Sequence, residues 1–219
     1  MLKFARLAFA TFLFMSVAEP ALADLPSART HDQAIATPDG KFIQSLGDEA
    51  ISVIANKDFT QEQRSDKFRE MLKNHFDLPT IAHYVIGRNN WNAASADQKQ
   101  EYMKLFEELV VKSYGDRFTL YTGEGFRVTG VHAESEKDTR VTSEITHPDG
   151  SEPTTIEWRI HHKDDKMGII DVVVEGVSLS VTQQQEYASI IQRDGGKLDG
   201  LLSRMRQQLQ DPPPANQHG

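Results

Sequence analysis

Between Thr154 and Leu179 the chain reads TTIEWRIHHKDDKMGIIDVVVEGVSL, and its apolar positions follow the period of a β-strand. Ile156, Trp158 and Ile160 alternate with Glu157, Arg159 and His161, which predicts a strand with one apolar face. Lys163-Asp164-Asp165-Lys166 is a polar turn. Met167 to Val174 is apolar on both sides: strict alternation puts Ile170, Val172 and Val174 on one face and Ile169 and Val173 on the other. A strand apolar on both sides needs cover on both sides. The hairpin is therefore the element that the rest of the chain has to enclose.

Upstream, the period is helical. Asp24 to Thr37 has few large apolar residues and is expected to be flexible. Thr37-Pro38 is an N-cap followed by proline at the first helical position, and Phe42, Leu46, Ala50, Val53 and Ile54 follow at helical spacing. Thr60 to Gln63 is a capping box opening a helix with Phe68, Met71, Leu72 and Phe76 on one side. Asp77-Leu78-Pro79 starts a short helix carrying Ile81, Ala82, Tyr84 and Val85, which ends near Gly87; a loop with Trp91 is expected over residues 89–92. Ser95 to Gln98 opens the longest helix, expected to reach Tyr121 with Tyr102, Phe106, Leu109, Val110, Tyr114 and Phe118 in one stripe. At 1.5 Å per residue it would be roughly 40 Å long, with Gly115 marking a bend.

After Gly125 the period returns to two. Phe126, Val128 and Val131 suggest one strand, and Val141, Ser143 and Ile145 another, ending at the turn His147-Pro148-Asp149-Gly150. With the hairpin this makes a four-strand antiparallel meander. Val181, Tyr187, Ile190 and Ile191 mark a further helix stopped by Gly195-Gly196, and Leu198, Leu201, Leu202, Met205 and Leu209 mark the last. Helices, then a sheet, then helices argue for an α+β fold.

The N-terminus changes the picture. Lys3 and Arg6, an apolar run from Leu7 to Ala18, and Ala21-Leu22-Ala23 have the layout of a cleavable signal peptide over residues 1–23. Twelve apolar residues are too few to span a bilayer. Residues 24–37 form the flexible segment, 38–210 a single domain, and 211–219 a proline-led tail expected to be disordered. The formal charge is −8 at pH 7, and removing Lys3, Arg6 and Glu19 with the leader makes it one unit more negative. An acidic chain without a Lys/Arg cluster is a poor partner for nucleic acid or anionic lipid surfaces, and no stable membrane insertion is expected. Cysteine is absent, which fits an exported chain relying on its core alone.

Reactive constellations are missing. The chain has no Cys nucleophile, no G-x-S-x-G, no H-E-x-x-H and no Gly-rich phosphate loop. His161 and His162 are neighbours on a strand and point to opposite faces, so they cannot share one ion. Asp171 and Glu175 lie about 13 Å apart along a strand, too far for a paired acid and base. Abundant apolar and aromatic surface without a reactive group favours binding over catalysis, and no cofactor or metal is expected.

Several segments carry a family resemblance. They are Phe76-Asp77 with Tyr84, Gly87 and Trp91; Phe106-Glu107-Glu108-Leu109 leading to Tyr114; and Asp171-Val172 running into Glu175-Gly176-Val177-Ser178-Leu179. On these the chain, from about Pro38 to Leu209, resembles the MlaC or toluene-tolerance family of periplasmic phospholipid-binding proteins. It departs from the family pattern at Met167-Gly168 and at Gln183 to Tyr187. The resemblance implies a twisted antiparallel sheet wrapped by N- and C-terminal helices, related to the NTF2-like architecture and enclosing an apolar pocket. It also implies a monomeric carrier with phospholipid as cargo. Its partners would be an inner-membrane substrate-binding ring protein of an ABC transporter and an outer-membrane lipoprotein–porin complex. The residues expected to line the pocket or its rim are Tyr84, Val85 and Trp91 on the short helix and its loop, and Phe106, Val110, Tyr114 and Phe118 on the long helix. Val141, Ile145, Ile156, Trp158, Ile160, Ile170, Val172, Val174, Val177 and Leu179 would supply the remainder from the sheet and its exit.

A closed pocket also follows from energetics. Exposing a lipid tail to water costs about 0.8 kcal/mol per CH₂, so two chains of about 16 carbons cost on the order of 25 kcal/mol. Three other readings stay open at this point: a hopanoid-linked carrier of the same family, an NTF2-like enzyme using His83 or Asp171 as base on a small hydrophobic substrate, and a solid-cored interaction module.

Overall fold

The computed structural model describes residues 31–115 and 123–211. The expected leader, the first part of the expected flexible segment, Phe118 and Tyr121 of the expected long helix, and the proline-led tail from Pro212 on lie outside the described residues, as does the side chain of Tyr114. In order, the elements are α1 (His31–Ile35), α2 (Pro38–Ala55), α3 (Gln61–His75), α4 (Leu78–Ile86), α5 (Arg88–Ala93), α6 (Ala96–Gly115), β1 (Gly125–Ala133), β2 (Asp138–Thr146), β3 (Thr154–Lys163), β4 (Lys166–Val174), β5 (Val177–Ser178), α7 (Leu179–Arg193) and α8 (Leu198–Gln210). The fold is α+β, with five antiparallel strands in the order β1-β2-β3-β4-β5.

The caps read from the sequence are made. Thr37 accepts from the Gly40 amide at 3.0 Å, Thr60 and Gln63 bond reciprocally, and Asp77 accepts from the Thr80 amide at 3.1 Å. Each satisfies an amide that the first helical turn leaves without a partner. Three stretches differ from expectation. Residues 31–35, within the stretch expected to be flexible, form α1 with Ala34 fully buried. Residues 89–92, expected as loop, lie within α5 because Gly87 (φ 81°) ends α4 and turns the chain at once into a new helix. A fifth strand follows the hairpin through a two-residue turn, Glu175-Gly176, with both φ values positive.

The register decides which side chains share a face. Val128, Ser143, Ile156 and Val174 lie in one row across β1–β4, and Val131, Val141, Trp158 and Val172 in the next. The third row is Ala133, Thr139, Ile160 and Ile169. A bulge on β4 leaves Ile170 unpaired, so Ile169, not Ile170, joins Val172 and Val174 on the inner face. The alternation expected for this strand therefore slips by one residue at Ile170. Burial follows: Ile169 is fully buried and Ile170 only half-buried.

α1 and α2 cover the β1 side of the inner face. The approach is close enough that a Cβ at Gly47 would overlap the Phe126 ring. Both backbone groups of Val128 are engaged there: its amide donates to Gln44 Oε1 at 3.1 Å, and its carbonyl lies 2.7 Å from His31 Nδ1. On the other side α3, α4 and α7 pack against β4. The Asp77 amide donates to the Ile169 carbonyl at 3.0 Å, beside a parallel bridge between Phe76 and Ile169. α6 and α8 pair, tied by Gln98 to Asp199 at 2.9 Å and by Lys112 capping the last carbonyls of α8.

The core is thereby divided. One cluster lies between α4, α6, α7 and α8 and includes Ala82, Val85, Tyr102, Phe106, Ile191 and Met205. The other lies between the sheet and α1–α3 and includes Ile43, Leu46, Val128, Val141, Ile160 and Ile169. Phe68 and Phe76, both half-buried, pack against both.

Candidate functional site

The expected pocket residues separate into groups. Val141, Ile145, Ile156, Trp158, Ile160, Val172 and Val174 share the inner face. Val141, Ile156 and Ile160 are buried, while Ile145, Trp158, Val172 and Val174 are half-buried. Val85 and Phe106 are buried in the helical cluster, with Trp91 and Val110 packed against it. Tyr84 and Val177 are exposed, and Leu179 opens α7. Val128, Phe126 and Ile169 belong to the same inner face, although the expected set did not include them. Their signal was present for β1, whose alternation was read, but the bulge concealed Ile169.

The inner face holds little polarity, and what it holds is bonded. The Trp158 indole N–H donates to Ser143 Oγ at 2.8 Å, and the Trp158 ring meets Phe126 edge-on at 6.3 Å. Thr139 lies 3.4 Å from His162 Nε2, which contacts Asp39 of α2 at 2.8 Å. His161 turns outward to Asp138 at 2.8 Å. The two adjacent imidazoles thus serve opposite faces, and the His161 bond, helped by the Ser135 hydroxyl, holds the Asp138 carboxyl below its ordinary range. Among the described residues no three side chains gather as a metal site requires.

In the helical cluster the Tyr102 hydroxyl donates to the Ala82 carbonyl at 2.9 Å. Burial pushes both Tyr102 and Tyr187 well above the usual phenol range, so each stays neutral and serves packing. His83, considered as a base, lies against Trp91 with ring centroids 3.8 Å apart and the planes tilted by 45°, and is exposed.

The segment from Asp171 to Leu179 has a structural explanation. Asp171 is buried and accepts from the Val172 and Ser180 amides at 2.9 and 3.1 Å and from the Ser178 hydroxyl at 2.7 Å. Ser178 in turn caps α7 by accepting from the Val181 amide at 3.1 Å. Glu175, in the turn, accepts from the Thr155 amide and donates its own amide to the Thr155 carbonyl. Every polar residue of Asp-Val-x-x-Glu-Gly-Val-Ser-Leu therefore fixes the hairpin, the turn or the helix start. Asp171, considered as a base, has its carboxylate fully engaged in that staple.

These features define a class: an α+β protein whose antiparallel meander turns one apolar, nearly uncharged face to a helical layer. A family profile described as MlaC protein matches residues 44–207, most of the chain. The protein belongs to the MlaC family. Among its relatives, the intermembrane phospholipid transport system binding protein MlaC of Haemophilus influenzae is 24% identical over 183 residues, covering 78% of this chain and 82% of that one. The toluene tolerance protein ttg2D of Pseudomonas putida is 22% identical over 137 residues, 63% of each chain. The fold is shared with a solved phospholipid-binding protein from Ralstonia solanacearum, in complex with a phospholipid. That match has a TM-score of 0.69 at 18% identity and covers 78% of this chain and 96% of the other.

Proposed function

We propose that this protein is a periplasmic lipid carrier, exported by its leader, that holds phospholipid acyl chains and passes them between the outer- and inner-membrane components of an ABC lipid transport system. The observation that carries the reading is the divided core. Two apolar clusters meet at Phe68 and Phe76, and one presents a sheet face whose outer members, Ile145, Trp158, Val172 and Val174, are only half-buried. Acyl chains inserted along that seam replace protein–protein contact with chain–protein contact, so the site stays apolar whether loaded or empty. The wall from the sheet would be Val141, Ile145, Ile156, Trp158, Ile160, Val172 and Val174, and the helical side of the seam would offer Phe68, Phe76, Phe106 and Val110. The names of the relatives support phospholipid as the cargo. Binding requires no covalent step.

Native mass spectrometry of protein purified from its own periplasm tests this. The wild type is expected to carry a lipid mass, and Val172→Asp to fold, be secreted and carry none, because a carboxylate at this half-buried position opposes an acyl chain. A wild type without lipid, or a folded Val172→Asp with full lipid content, overturns the reading.

A further inference from the structure

Three large apolar side chains are exposed among the described residues: Tyr84 at 47%, Val177 at 56% and Val181 at 37%. Tyr84 and Val181 belong to one region, because Gln184, one turn after Val181 in α7, donates its side-chain amide to the Tyr84 carbonyl at 2.7 Å. Val177 precedes Val181 by four residues, in β5. Beside them is a cleft of about 330 Å³ between the α4–α5 junction (residues 86–90) and the α7 residues Gln184, Gln185 and Ala188. Val181, Gln184, Gln185 and Ala188 recur at helical spacing, so Val181 extends the cleft wall toward β5.

The charge pattern here is unusual for this chain. A quarter of all residues are charged, 26%, yet Arg88 is the only Asp, Glu, Lys or Arg between Leu78 and Ala96, and Val177 to Gln185 has none. Residues 86–90 of the first segment and Gln184 and Gln185 of the second line the cleft, with Ala188 beyond them. Arg88 is exposed and has no ion-pair or hydrogen-bond partner among the described residues, and neither does the Tyr84 hydroxyl. Glu186, the next acid along α7, accepts from Gln183 at 3.0 Å and does not line the cleft. Depletion of charge together with Tyr and Arg whose polar ends lack partners is the composition of an interface core.

We propose that this face docks a protein partner presenting a short acidic–apolar segment: an apolar side chain enters the cleft against Val181, and an adjacent carboxylate pairs with Arg88. A bilayer surface fits less well, since one cation does not make a basic patch. Val177 pairs with Val174 at the end of the inner face, but Arg88 and Val181, the residues that carry the test, are not among the proposed acyl-chain walls, so the proposal stands or falls apart from the lipid-carrier reading.

Random linear peptides displayed on phage and panned on the full-length secreted protein test it. Selected peptides are expected to carry Asp or Glu next to Leu, Ile or Phe. They should bind Arg88→Glu and Val181→Asp at least about tenfold more weakly than wild type. Replacing the peptide acid by Lys should restore binding to Arg88→Glu. Both substitutions are exposed, and lipid content by native mass spectrometry should be unchanged. Peptides lacking an acid, equal binding to the variants, or no swap rescue would overturn the proposal. So would a dimer lost in Val181→Asp on sedimentation, which assigns the face to a second copy. Cosedimentation with phosphatidylglycerol–phosphatidylethanolamine vesicles that the variants lose would assign it to a bilayer, and lipid loss from Arg88→Glu to the cargo headgroup.

Discussion

The two faces of the sheet are built from the same strands by opposite means. On the inner face Val128, Val141, Ile160 and Ile169 are buried, and the polar residues Ser143 and Thr139 are tied to Trp158 and His162. On the outer face charges of both signs alternate. Arg127 pairs with Glu144 at 2.8 Å, Arg140 with Glu134 and Glu157 at 3.2 and 3.3 Å, and Arg159 with Glu134 at 3.8 Å. The outer lattice neutralises itself in water and depends on no single member. The inner face tolerates almost no polarity, so each polar atom on it must have a defined partner. A surface that hosts an apolar guest has to be of the second kind.

One pair of neighbours exposes the contrast most sharply. Val141 is fully buried, whereas Thr142, one residue on, faces outward opposite Glu157. Val141→Lys should lose about 4 kcal/mol or more of stability, because an unpaired ammonium is placed among apolar side chains. Thr142→Lys should stay within about 0.5 kcal/mol of wild type. Chemical denaturation of the two variants measures both, and similar losses would erase the distinction between the faces.

A smaller effect is expected where polarity intrudes on the inner face. Trp158→Phe removes the donor to Ser143 and leaves a buried hydroxyl without its bond, a loss of about 1–2 kcal/mol. Adding Ser143→Ala should recover part of it, and the double-mutant cycle should show coupling of about 1 kcal/mol. Additive losses would mean that the pair merely adjoin.

The smallest effect belongs to the outer lattice. Arg140→Ala breaks two half-exposed ion pairs. It should cost between about 0.2 and 1 kcal/mol at low ionic strength and close to nothing in 1 M salt. A loss that salt does not reduce would point to packing by the arginine stem.

How much of this was legible depends on the length of each signal. The alternation at Ile156, Trp158 and Ile160 and the helix caps each rest on several residues, and they reappear as strand and helix starts. The bulge at Ile170 inserts one residue into a run apolar on both sides, so nothing in the pattern marks the slip. β5 is two residues long, below the reach of any periodicity. Asn89 to Asn92 read as a loop from composition, but the positive φ of Gly87 restarts a helix there. The inner face was legible on the strands, where a face is defined by alternate residues. The seam was not: Phe68 and Phe76 come against both clusters only once two distant segments are folded together.

The engagement of Val128 by Gln44 and His31 has a further consequence. An open sheet offers backbone groups at its margins to any extended chain nearby, and such margins seed polymerisation. Here the midpoint of the β1 margin is occupied by side chains of α1 and α2. The far margin of β4 is taken by Asp77 and Phe76 at one end and by the two-residue β5 at the other. Neither side of the sheet presents a long free run for strand addition. The protein can therefore keep a sheet that is not closed into a barrel without exposing a template for aggregation.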